Sequence, residues 1–179
     1  MKRKYSEDYT TAFHEAAHAV VRIALGLSVK YIEIYDPSNL EQMGYMATFG
    51  GDLFMWDAPA DMIATLASIP AEQLLDPSNT KTQLMYGTCE QDYNDADILC
   101  RKLLPEEKYV DRLKVVDEAV VVAGVLVREL AKTIHRVARC LEKKRKMGYL
   151  EILELIPEDV KEDGIDGRIK RFKAFQAAA

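Results

Sequence analysis

The sequence predicts a mainly helical domain with a small antiparallel strand element, an α+β fold weighted toward α. Three observations lead there. The run from Ser6 to Leu25 is apolar at helical spacing. Two short β-branched and aromatic runs follow, at 29–35 and 44–49. Most of the remaining chain, above all Glu106 to Met147, is again amphipathic or apolar at helical period.

Ser6-Glu7-Asp8 supplies a capping hydroxyl and first-turn acids, so a helix is expected to start there and to stop at Gly26. Its second half is apolar nearly all round and belongs in the interior. Val29–Tyr35 reads as a strand ending at the turn residues Asp36-Pro37-Ser38-Asn39. Gly44–Phe49, closed by Gly50-Gly51, would pair with it as a long-turn hairpin. Asp57-Ala58-Pro59 caps a further helix through Met62, Ile63, Leu66 and Ala67. Pro70 kinks it or begins a new turn, because proline lacks a donor. Helical pattern continues over Ala71–Leu75 to Asp76-Pro77-Ser78-Asn79. After a polar loop, Glu90–Leu104 is a helix stopped by Pro105. The long helical region beyond it is expected to break near Gly124 or at an earlier turn. A short helix at Leu150–Leu155 precedes Pro157 and a charged, glycine-punctuated tail. Neither a repeat nor a linker divides the chain. A single domain over 1–179 is expected, with a core at about 6–104 and a helical C-terminal part at about 106–179.

With 179 residues and 49% hydrophobic content the chain can build a real core. Its formal charge of −5, from 29 acidic and 24 basic residues, gives no reason to expect nucleic acid. The basic clusters Lys2-Arg3-Lys4 and Lys143-Lys144-Arg145-Lys146 read as a solvated terminus and a helix end. Cys89, Cys100 and Cys140 lack CxxC spacing, which suggests a reducing compartment. The polar N-terminus carries no secretory signal, and Ala119–Val127 is too short to span a bilayer. The expectation is a cytoplasmic protein without a membrane partner.

The chemistry concentrates in His14-Glu15-Ala16-Ala17-His18. Two histidines four positions apart share a helix face, so both imidazoles can reach one metal. Glu15, about 100° around the helix, stands beside the metal rather than on it, where a general base belongs. A pair of hydrogen-bonded core histidines is the alternative. Apolar flanks weigh against it, since buried His14, Glu15 and His18 without a metal would be costly. Zinc needs a third protein ligand and an open position. His135 lies among Lys132, Arg136 and Arg139 and reads as a surface residue. Asp92 shares a helix face with Ala96, Leu99 and Leu103 and is the better third ligand. Its other reading is an acid that simply favours the helix N-terminus.

These residues resemble the peptidase domain of FtsH-type ATP-dependent zinc metalloproteases, from about Tyr9 to Leu104. Thr11–Val21 is similar to that family's HEAGH helix. Leu66-Ala67 with Ala71-Glu72-Gln73-Leu74 is similar to its second motif, and Gly87–Arg101 to its third-ligand helix. The resemblance implies a zincin-like peptidase domain holding Zn2+ by His14, His18 and Asp92, with Glu15 activating water. It implies a protein or peptide substrate lying along an edge strand at Gly44, Tyr45 and Met46, and a ring-like homo-oligomer. It also offers Glu72 as a residue orienting a ligand histidine, beside the plain reading of a structural helix glutamate. Ala17 replaces the family's glycine, and Ser68-Ile69-Pro70 departs from its Gly-Arg-Ala. No GxxxxGK[ST] loop occurs. The activity implied is therefore an ATP-independent metalloendopeptidase acting on unfolded or flexible segments, alone or beside a separate ATPase partner. The alternative is a metal-bearing regulatory or interaction module without proteolysis.

Overall fold

The structure, a computed structural model, describes residues 5–35, 44–47 and 58–162. The turn at Asp36–Asn39, the strand end at Thr48-Phe49 with Gly50-Gly51, the Asp57 cap, the Lys2-Arg3-Lys4 cluster and the tail from 163 onward lie outside the described residues.

Helix α1 (Glu7–Ala24) begins where the Ser6 hydroxyl accepts the Tyr9 N–H at 3.0 Å. It ends at Leu25, and Gly26 takes φ 73°, a conformation costly for a residue with a side chain. Almost every residue from Phe13 onward on this helix is buried, because other elements cover it on all sides. Helix α7 (Ala131–Lys144) lies along one flank, α2 (Ala58–Thr65) and α3 (Ser68–Leu75) along another, and the sheet along a third. Phe13, Ile32, Met62, Leu66, Ile134 and Leu141 fill the space between them and are essentially inaccessible to water.

The sheet has three antiparallel strands in the order β2 (Gly44–Ala47), β1 (Tyr31–Ile34), β3 (Lys146–Gly148). The hairpin pairs Tyr31 with Ala47 and Ile34 with Gly44. The third strand was expected to be helix. Arg145 breaks the helical run with φ 67°, and its guanidinium donates to the Tyr35 carbonyl and pairs with Asp8 at 2.8 Å. Those contacts compensate a left-handed residue and send Lys146–Gly148 into register with β1.

Helices α4 (Lys81–Met85) and α5 (Glu90–Leu103) follow α3. The polar stretch expected as loop holds α4 because Thr80 and Gln83 form a capping box. Helix α6 (Tyr109–Glu129) runs through Gly124, and the break before α7 falls at Leu130 instead. Glycine leaves the helix intact here because Gly124 is buried against α3. A Cβ at 124 would meet the Pro70 Cβ at 3.6 Å and the Arg128 guanidinium at 3.5 Å, ordinary contacts. Gly124→Ala is therefore expected to raise stability by about 0.5–1 kcal/mol, read by urea denaturation. A loss of stability would contradict this packing. Two short helices, α8 (Tyr149–Leu155) and α9 (Glu158–Glu162), close the described chain, the second in a stretch expected as tail. Among the described residues no helix is long and apolar enough to cross a membrane.

Candidate metal centre

His14 and His18 stand one turn apart on α1, their rings 4.8 Å apart and nearly perpendicular. Asp92 enters from the first turn of α5, with Oδ2 at 3.1 Å from His14 Nε2 and 3.4 Å from His18 Nε2. The ligand atoms of these three residues lie within 4.8 Å of one another, close enough to hold one metal ion.

What points the imidazoles inward is a break in the neighbouring helix. Pro70 has no N–H, yet in the first turn of α3 that donor would have no helical partner, so the helix restarts there without penalty. The restart leaves the Ala64 carbonyl, in the last turn of α2, accepting the Ala67 N–H at 3.3 Å, and its second lone pair accepts from His18 Nδ1 at 2.9 Å. It also sets Ser68 and Glu72 one turn apart on a single face of α3. Glu72 Oε1 accepts from His14 Nδ1 at 2.9 Å, and the Ser68 hydroxyl donates to Asp92 Oδ2 at 2.6 Å. Thr88 and Cys89, just ahead of α5, donate to the two Glu72 oxygens at 2.7 and 3.6 Å. Further along the same face of α1, Arg22 makes a buried ion pair with Asp61 of α2 and donates to the Ser28 carbonyl.

These bonds fix the protonation pattern. A carbonyl oxygen can only accept, so His18 carries its proton on Nδ1; the Glu72 carboxylate imposes the same on His14. In the neutral imidazoles both Nε2 lone pairs then face a carboxylate oxygen. Three acceptors around one point repel each other unless a cation lies between them, as a metal ion or as protons on the histidines. His14, Glu72 and Cys89 form a second group of suitable atoms. There, however, His14 would offer Nδ1, which already donates to Glu72, so this group serves as the outer layer of the first.

Protons fill the cation's role when metal is absent. Burial opposes charge on His14, but Asp92, with Cys89 and Glu72, outweighs it and raises the pKa well above the usual 6.5. His18 is raised too, against burial, chiefly by Asp92. Burial would raise Asp92, yet His18 and His14 hold it far below the carboxylate range. The His14 and His18 contributions to stability are thus complete below about 6.5, the unfolded value, and lost as pH rises through the folded values. The Asp92 contribution is present above about 3.9 and is lost only on strong acidification. Metal-free protein is expected to show a Tm that falls as pH rises above about 6.5. A Tm that rises above that pH would contradict the arrangement.

Glu15 is buried beside the pair, close enough to feel the charges of His14, His18 and Asp92. Burial raises its pKa, and the two histidines lower it in part. Across from it, Gly44 opens β2, an edge strand because β1 separates it from β3 among the described residues. A Cβ on Gly44 would fall 2.5 Å from Glu15 Oε1 and 2.8 Å from its Cγ. Met46 is partly buried against the core two residues further on; Tyr45 pairs with Glu33 of β1. His135, expected on a charged surface, is instead partly buried, with Nδ1 at 2.6 Å from the Tyr9 hydroxyl and its ring 4.6 Å from Phe13. It belongs to neither ligand group.

Sequence reasoning missed Ala64, Ser68, Thr88 and Cys89. Ser68 carried a signal, being four residues before Glu72 on a helix; the Ala64 carbonyl carried none. No protein-family model matches the chain, and no curated protein matches it.

Proposed function

We propose that this chain is a zinc-dependent, ATP-independent metalloendopeptidase acting on unfolded or flexible protein segments. One observation carries the reading: two Nε2 atoms and one carboxylate oxygen converge, with both outer nitrogens occupied, beside a buried glutamate. Two imidazoles and a carboxylate are a donor set suited to zinc with an open position. The separations of 3.1 and 3.4 Å also suit it. The edge of a tetrahedron with bonds of about 2.0–2.1 Å is about 3.3 Å.

His14, His18 and Asp92 would hold the ion, and Glu72, Ala64 and Ser68 would orient them. Bound there, zinc would supply Lewis acidity, polarising a scissile carbonyl and acidifying a water molecule. Glu15 would accept a proton from the attacking water on its carboxylate and hand it to the departing amine. Its raised pKa, caused by burial, favours holding the proton between the two steps. The edge of β2 away from β1 would offer backbone groups to an extended substrate, a mode that reads main chain more than sequence. Folded substrates would need a separate unfolding partner, such as an ATPase.

Metal analysis with a casein and peptide-library assay tests the reading. One equivalent of zinc with chelator-sensitive cleavage is expected. Zinc without cleavage of any unfolded substrate would remove the peptidase and leave the metal site.

Gly44 provides a finer check. Gly44→Ala should displace the Glu15 carboxylate, since the added carbon cannot share its space. A misplacement near 1 Å costs about 10²-fold in rate. Zinc content should be unchanged while kcat falls by about that factor. Unchanged kcat would argue that Glu15 is not held by β2.

A further inference from the structure

On α7, Lys132, Arg136, Arg139 and Lys143 are spaced four, three and four residues apart, which puts four cations in one row. All four are exposed. They line a cavity of about 930 Å³ between α7 and the start of α1, whose other wall includes Tyr5 and Tyr9. Those two rings stack at 5.0 Å, and Tyr9 also bonds His135, so the wall is aromatic and fixed.

Arg136 donates to the Leu155 carbonyl at 3.2 Å and Arg139 bonds the Tyr9 hydroxyl, but neither partner is a carboxylate. Among the described residues none of the four forms an ion pair, whereas Lys144, Arg145 and Lys146 immediately after them meet Glu151, Asp8 and Glu33. The one acid lining the cavity, Glu142, already accepts the Ser6 hydroxyl at 2.9 Å. Four cations against this single acid thus concentrate positive charge on one face of a chain whose formal charge is −5.

We propose that this cleft seats an acidic, extended segment of another protein. From 132 to 143 the row is about 16 Å long, the length of about five residues of extended chain. Acidic side chains on one side of such a segment recur about every 6.7 Å, near the spacing of successive cations. A short local segment also suits the overall negative charge, which would repel a long polyanion such as nucleic acid. The site lies apart from the ligand groups and is independent of the metal reading, so binding is read with or without zinc.

Fluorescence anisotropy of a labelled hexaglutamate peptide with the full chain tests it. Saturable binding that weakens with salt is expected. Lys132→Glu with Lys143→Glu should weaken it at least about tenfold. Lys102→Glu with Lys108→Glu, on exposed positions elsewhere, should change it less than about twofold. Circular dichroism checks the fold, and Lys132→Gln with Lys143→Gln serves if the charge reversal unfolds the chain. Absence of binding at low salt, equal losses in both double variants, or tighter binding of an RNA oligonucleotide of the same charge would overturn the proposal.

Discussion

Glu15→Gln is expected to keep full zinc content and to lower the rate of peptide hydrolysis by at least about 10³-fold. Glutamine preserves the volume of a side chain that is only 6% exposed, so the packing around it should survive. It cannot take the proton of water, which is the role Glu15 has in the proposed mechanism. Stability should not fall, because an amide removes a buried carboxylate whose pKa is already raised by desolvation. Zinc stoichiometry, Tm and kcat measured together separate these effects. Undiminished hydrolysis in this variant would take Glu15 out of the chemistry.

Asp92→Ala should act on the metal rather than on the proton. Only two imidazoles would remain, and zinc sites in proteins rest on three or four protein ligands. The loss in affinity should exceed the roughly 10–100-fold that follows removal of an outer partner such as Glu72. Competition with a chromogenic chelator measures both variants on one scale. A loss for Asp92→Ala no larger than for Glu72→Gln would indicate that another group closes the site. The metal-free variant should also lose much of the fall of Tm with pH, since the carboxylate that chiefly raises His14 and His18 is gone.

The parts of the site visible in the sequence are those set by local helical geometry. His14 and His18 share a face at spacing four, and Asp92 starts the buried face of α5 that includes Ala96 and Cys100. That face continues to Cys100 rather than to Leu103, a small rotation that periodicity alone does not fix. The remainder depends on where helices break. Pro70 marked a break, but that the Ala64 carbonyl reaches His18 and Ser68 turns toward Asp92 follows only from how α2 and α3 meet α1. Strand β3 was hidden because Lys143–Lys146 reads as a charged helix end until Arg145 turns left-handed. Gly124 misled in the opposite sense. Helix propensity disfavours it, and burial against Pro70 overrides that preference.

Diffraction from zinc-loaded crystals collected at the zinc absorption edge tests the central claim most directly. The account predicts one anomalous peak within bonding distance of His14 Nε2, His18 Nε2 and Asp92 Oδ2, with Glu15 beside it. No peak there, or a peak between Glu72 and Cys89, would contradict it.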